Sequence, residues 1–303
     1  MIKRTKTFHV LMSLAMLIWG GSWVSAKLIA GMLPSQVLVF YRFLFTFLCY
    51  GAVLIIIREK PRLSRRSFVQ IILATLFYVM YSQLFFAGLR TGFAGIGGVL
   101  VTTLNPIFTF IIASSLFKRS VTWREIGGLM IGICGGGVIL RIWDLDTRLL
   151  LESGNLFFLL AAFVWASLTV SSQHAQKDLS VWTYSFYING FATVFQIPFA
   201  APEGITGVFH LGPFFWAQMT YLSLISTTFA TTIYFYATDK LGPRRASSFT
   251  FLVPLCAIVM SWLILDEKPG ISIIAGGIIA IIAVYIINYK TARLPLQPLS
   301  PKD

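Results

Sequence analysis

Long apolar runs without any charge, separated by short clusters of basic residues, set the pattern of this chain. Charge-free runs cover residues 68–89, 91–117, 153–176, 179–202, 204–238, 246–265 and 269–289. Two further runs hold one basic residue each: 10–33 contains Lys27 and 37–57 contains Arg42. A helix that crosses a bilayer needs about 20 mainly apolar residues, so each of these nine runs is long enough. The run 126–140 is short for a span and also reads as a buried or re-entrant helix. Trp123 and Arg124 ahead of it extend it if Arg124 reaches back to the interface. The pattern therefore predicts an all-α polytopic membrane protein with ten transmembrane helices.

The loops agree with that count. Of the 24 Lys and Arg residues, 18 fall on the side that holds the N-terminus, as expected if that side is cytoplasmic. This predicts a multi-pass protein of the plasma membrane, the inner membrane of a bacterium, with both termini in the cytoplasm. Lys3, Arg4 and Lys6 before an apolar stretch, then Val24-Ser25-Ala26, also fit a cleavable signal peptide. Trp19 and Trp23 crowd that cleavage region, so an uncleaved first helix is the reading carried forward.

Composition narrows the classes. The chain is 57% hydrophobic and 12% charged, too few charges to cover a soluble domain, and three Cys in 303 residues exclude a disulfide scaffold. The net charge of +13 is spread between apolar runs and not gathered on a hydrophilic face, so no nucleic-acid partner is expected. There is no phosphate-binding GxxxxGK[ST] loop. His9, His174 and His210 lie at separate helix ends, and Cys49, Cys134 and Cys256 are scattered. No catalytic constellation, metal site or cofactor is expected, and the chain does not read as an enzyme.

An internal duplication is visible. Trp19-Gly20-Gly21-Ser22-Trp23-Val24-Ser25 parallels Trp165-Ala166-Ser167-Leu168-Thr169-Val170-Ser171, and Pro106 and Pro254 follow at matching distances. A charged turn and a glycine pair come next in each case, Gly127-Gly128 and Gly276-Gly277. The expected organisation is two five-helix repeats, 1–145 and 150–303. Because five is odd, the second repeat enters the membrane from the opposite side, the inverted design of many secondary transporters.

With these motifs the sequence resembles the drug/metabolite transporter superfamily, in particular its EamA-type ten-helix members. The resemblance covers essentially the whole chain. It rests on Trp19-Gly20, Arg42-Phe43, Leu104-Asn105-Pro106, Trp165-Ala166, Val253-Pro254 and Asp266-Glu267, with glycine-rich fifth and tenth helices. Where the family commonly has Glu in the first repeat, this chain has Lys118-Arg119. The resemblance implies export or facilitated passage of small metabolites, often amino acids or related compounds. Exchange of a larger charged metabolite such as a nucleotide derivative is the alternative within transport. A membrane scaffold without transport is the alternative outside it.

No Asp or Glu falls at a predicted helix centre, which speaks against a buried carboxylate relay for protons or sodium and for passive facilitation or exchange. Arg42 and Lys27 each admit two readings, a side chain reaching for headgroups or a binder of a substrate anion. Polar and aromatic residues recur at helical spacing: Trp19, Ser22, Trp23 and Ala26; Tyr78, Tyr81, Ser82 and Phe85; Thr102, Asn105 and Thr109; Trp165, Thr169 and Ser172; Thr227, Thr231 and Tyr234. Each stripe alone reads as helix packing; five together suggest a shared aromatic and hydroxyl-lined cavity. The expected substrate-binding residues are Trp19, Trp23, Arg42, Tyr78, Tyr81, Thr102, Asn105, Trp165, Thr169, Thr231 and Tyr234. Pro106 and Pro254, in corresponding places of the two repeats, are expected hinges, because each frees a carbonyl near position 102 or 250; a purely structural kink is the alternative. The glycines of the fifth and tenth helices predict a close seam, either between repeats or in a homodimer. The expected partners are therefore a small-molecule substrate, the lipid bilayer and, through those glycines, a second copy.

Overall fold

The computed structural model describes residues 2–92, 94–117, 121–144, 155–257, 260 and 271–288. The helices are α1 (Ile2–Ile29), α2 (Ser35–Ile56), α3 (Arg65–Thr91), α4 (Ala94–Phe117), α5 (Trp123–Leu140), α6 (Asn155–Ala175) and α7 (Val181–Ala200). Then α8 runs in three segments, Pro213–Thr220, a π-helical Tyr221–Thr231 and Thr232–Leu241; α9 opens with Pro243–Ser248 and a 3-10 turn, Phe249–Leu252; α10 is Ile271–Asn288. By length and composition α1, α2, α3, α4 and α6 contain clear membrane spans.

Side-chain caps start three of the helices, α3, α5 and α7. The Ser64 and Ser180 hydroxyls accept the Ser67 and Thr183 amides at 3.1 Å each. Thr122 and Glu125 form a reciprocal capping box on α5. That box places Trp123 and Arg124 inside α5, so the short run 126–140 extends as expected. Arg124 then reaches the Ile286 carbonyl of α10 at 2.8 Å. Gly242, at φ 84°, breaks α8 from α9 in a conformation that disfavours a Cβ, and Pro243 opens the next helix.

The principal packing partners are α2 with α7, α5 with α10, α3 and α4 with α6, and α1 with the π segment of α8. The outer surface is apolar, with Ile55, Ile56, Val194, Ile274, Ile278 and Tyr285 among its exposed residues. The interior, by contrast, holds many buried hydroxyls and amides, including Thr46, Ser82, Asn105, Thr169, Asn189 and Gln196. This is the arrangement of a protein solvated by lipid, where polar groups find partners inside the bundle. Trp123 and Trp143 are largely exposed near helix ends, as interface anchors would be.

The glycine seam lies within one chain. A Cβ on Gly276 would stand 2.6 Å from the Gly135 carbonyl oxygen, and one on Gly128 would stand 2.4 Å from Ile287. The α5–α10 contact therefore consumes the small-residue faces that suggested a homodimer, and these glycines give no support for one.

Candidate functional site

At the centre of the bundle a polar cavity is walled by Trp19, Ser22 and Trp23 of α1, Arg42 of α2, and Tyr81 and Phe85 of α3. Val101, Thr102 and Asn105 of α4, Trp165 of α6, Ser226 and Thr231 of α8, and Thr250 of α9 complete it. Its free volume is about 30 Å³, room for a water or two and not for an organic molecule. The roomier cavity expected from five polar stripes is thus closed here, because the aromatic walls fill it themselves. Trp19 meets Trp165 edge-on at 5.3 Å between ring centroids, and Tyr81 meets Trp165 at 4.5 Å. A larger concavity, about 600 Å³, lies between α1, α2, α7 and α8. It is lined by Phe8, Leu11, Val53, Trp182, Phe229 and Tyr236 among others, which makes it an apolar groove.

Arg42 is the one Lys, Arg, Asp or Glu in the buried class among the described residues, at 7% exposure. It does not reach for the surface. Its Nε donates to Thr227 Oγ1 at 3.1 Å, and its guanidinium carbon sits 5.7 Å from the centre of the Phe85 ring. Its Nη1 is buried with no hydrogen-bond partner.

Lys27 does something else. Its Nζ donates to the carbonyls of Leu89 and Gly92 at 2.7 and 2.9 Å, at the C-terminal end of α3, where unpaired carbonyls and the helix dipole favour a cation. It ties α1 to α3 outside the cavity, so its role in the described structure is a cap and not an anion binder.

The two prolines meet through the residues four positions before them. Pro106 removes the amide that would have bonded the Thr102 carbonyl, and Thr250 Oγ1 donates to that carbonyl at 2.9 Å. The same hydroxyl also lies 2.7 Å from the Ser247 carbonyl, and it accepts Asn105 Nδ2 at 3.4 Å. Thr109 Oγ1 donates to Asn105 Oδ1 at 2.9 Å. Helix α4 continues through Pro106, whereas α9 tightens to a 3-10 turn just before Pro254.

The π segment of α8 is the largest departure from the expected pattern. Thr227, Thr231 and Tyr234 were expected on an α-helical face, yet residues Tyr221–Thr231 wind as π-helix for 11 residues, far beyond the single-turn bulges usual in α-helices. Thr227, Thr228 and Thr231 each donate to the carbonyl five positions back, at 2.7, 2.9 and 3.1 Å. Tyr50 Oη braces the outside of the turn, 2.6 Å from Thr232 Oγ1 and 3.1 Å from the Thr228 carbonyl.

Of the residues singled out from sequence, Trp19, Trp23, Arg42, Tyr81, Thr102, Asn105, Trp165 and Thr231 come together on the cavity wall. Tyr78, Thr169 and Tyr234 do not line it. Tyr234 stands behind Trp19 at 4.9 Å between ring centroids and bonds Thr169 at 2.9 Å, and Tyr78 packs on Phe43. Three wall residues escaped the sequence reading, the apolar Val101 and two polar ones. Thr250 was marked only as a freed carbonyl, and Ser226 faces inward because of the π winding.

An apolar-surfaced helical bundle with buried polar side chains and a small internal cavity has the make-up of a polytopic membrane protein. Residues 7–141 and 152–289 match the EamA-like transporter family, and the chain belongs to that family. It is 27% identical over 287 residues to an uncharacterized transporter of Archaeoglobus fulgidus, covering 93% of this chain and 97% of that protein. It is 22% identical over 289 residues to the uncharacterized transporter YetK of Bacillus subtilis, covering 92% and 87%. A solved crystal structure superposes with a TM-score of 0.74 over 94% of this chain and 97% of its own, at 15% identity. That likeness is one of fold alone.

Proposed function

We propose that the chain is a secondary transporter or facilitator that exports small organic metabolites, amino acids or related compounds, across a bacterial inner membrane. It works by alternating access at the central cavity, and both termini lie in the cytoplasm. The observation that carries this reading is the composition of the cavity wall. Trp19, Arg42, Tyr81 and Asn105 come from the first five helices, and Trp165, Thr231 and Thr250 come from the last five. A site made at such a junction is exposed to either side in turn when the two halves rock.

The packing supports two inverted repeats, 1–145 and 150–303. Each helix n meets its counterpart n+5 in the pairs α2–α7 and α5–α10, and the α3–α6 contact is mirrored by α8–α1. In this reading Trp19, Trp23, Arg42, Tyr81, Thr102, Asn105, Trp165 and Thr231 bind substrate, while Tyr78, Thr169 and Tyr234 hold the aromatic walls. Pro106 and Pro254 are hinges whose polar neighbours exchange partners as the site opens. With Lys27 engaged as a cap, Arg42 is the one cation on the cavity wall among the described residues, which weakens the case for a polyanionic nucleotide derivative.

The test is counterflow in proteoliposomes preloaded with a mixture of amino acids and their oxo-acids, without any ion gradient. Protein-dependent uptake of a labelled member of the mixture is expected. Failure of every member both with and without a proton gradient would overturn the amino-acid reading, and uptake that appears only with a proton gradient would overturn passive coupling.

A further inference from the structure

We propose that Arg42 Nη1 is the recognition point for one carboxylate of the substrate, and that the transported class is organic monoanions with an apolar or aromatic body. This rests on the transport reading above and narrows it, from amino acids to related carboxylates that lack the ammonium group. Arg42 is 93% removed from solvent and lines the cavity, and Nη1 carries two N–H donors without an acceptor. A guanidinium in such a place is costly while its donors stay unpaired. Among the described residues nothing else on the wall carries charge: its remaining polar side chains are Ser22, Thr102, Asn105, Ser226, Thr231 and Thr250, with the Tyr81 hydroxyl and the indoles of Trp19, Trp23 and Trp165, all neutral.

Charge balance chooses among anions. A single carboxylate makes the loaded site neutral. A phosphate dianion would leave one negative charge in a cavity that offers no second cation, and a zwitterion would leave the site positive with no acid to pair its ammonium. The planar guanidinium fork also matches a carboxylate, and its Nε is already spent on Thr227. The substrate's body takes the space that Trp19, Trp165 and Tyr81 now give to one another. Hydrophobic walls and one charged anchor are the usual division of labour in a small-molecule site.

Five probes with a common phenyl body test this at pH 7.5: 3-phenylpropionate, L-phenylalanine, 2-phenylethyl phosphate, phenethylamine and 3-phenylpropanol. Each is added to the purified full chain and binding is read as stabilisation against thermal unfolding, with dissociation constants from titration. The carboxylate is expected to bind at least ten-fold tighter than the other four. Arg42→Gln should weaken it at least ten-fold, and Arg42→Lys should retain part of the binding. An equal response to all five probes, including none, overturns the proposal without relying on any variant. So does unchanged carboxylate binding in Arg42→Gln. Counterflow separates this from the parent reading. Counterflow of a neutral or cationic metabolite that Arg42→Gln leaves intact would sink the anion site and keep the transporter. Arg42-dependent carboxylate binding without counterflow of any metabolite would keep the site and sink transport.

Discussion

At Gly20 the first and ninth helices approach so closely that a single methyl group does not fit. A Cβ there would lie 2.5 Å from the Ala257 amide nitrogen and 2.6 Å from the Cys256 carbonyl carbon. Both are backbone atoms, which cannot swing aside as the tip of a flexible side chain can. Gly20→Ala should therefore push α1 from α9 and lower stability by about 1–3 kcal/mol, the usual cost of overpacking. Thermal unfolding in detergent measures it, and an unchanged midpoint would show that the two helices do not meet here. The sequence marked Gly20 through its place beside Trp19 in the duplicated motif, and backbone contact supplies the physical reason for a glycine. Lys27 and Arg42 show the converse. Both are single cations in apolar runs, and only tertiary structure separates them: one side chain ends on the carbonyls at the end of α3, the other inside the bundle with a free nitrogen.

Among the elements, the π segment of α8 sets the sharpest test, because its hydroxyls bond back to carbonyls of its own widened turns, in a lipid setting that offers no water in their place. Thr231→Val keeps the shape and removes one neutral donor to the Ser226 carbonyl, at a cost of about 1 kcal/mol. Thr227→Val removes the donor to the Leu222 carbonyl and also the acceptor of Arg42 Nε. Bonds to charged groups are worth about 1.5–3 kcal/mol, so Thr227→Val should be the more damaging of the two in thermal unfolding. Equal midpoints, or the reverse order, would count against a structural Arg42–Thr227 bond. This segment also shows where sequence reading stops. Helix positions were legible because a lipid-crossing segment must stay mainly apolar along its whole length, a signal that survives any winding. The winding itself is decided by tertiary partners such as Tyr50, which bonds the outside of the turn. An α-helical wheel therefore put Thr231 on the right face and missed Ser226. Thr250 was within reach, since the proline rule pointed to its position, but the rule named a carbonyl and the structure uses the hydroxyl as well.

At the scale of the molecule, hydrogen bonds between the first and last five helices occur at both ends of the bundle, and the cavity between them is only about 30 Å³. At one end Ser25 Oγ donates to Gln218 Oε1 at 2.6 Å, and Tyr41 Oη reaches the Ile205 carbonyl at 3.0 Å. At the other, Glu59 Oε1 accepts from Ser180 and Thr183. If the site is served by rocking of two halves, one of these clasps must part while the other holds, and each must part once per cycle. If the protein were a pore or a static scaffold, neither would need to open. Cysteine pairs replacing Ser25 and Gln218, or Glu59 and Thr183, distinguish these pictures in a background where Cys49, Cys134 and Cys256 are changed to Ser or Ala. None of the four clasp positions lines the cavity, so the single-cysteine variants should retain counterflow. Joining either pair with a short, reducible thiol cross-linker should reduce counterflow to the protein-free level, and reductant should restore it. Sensitivity at both ends is the informative result, because a pore blocked by a cross-link at one mouth has no reason to depend on the other. Full counterflow with both ends joined would rule out rocking of the two halves.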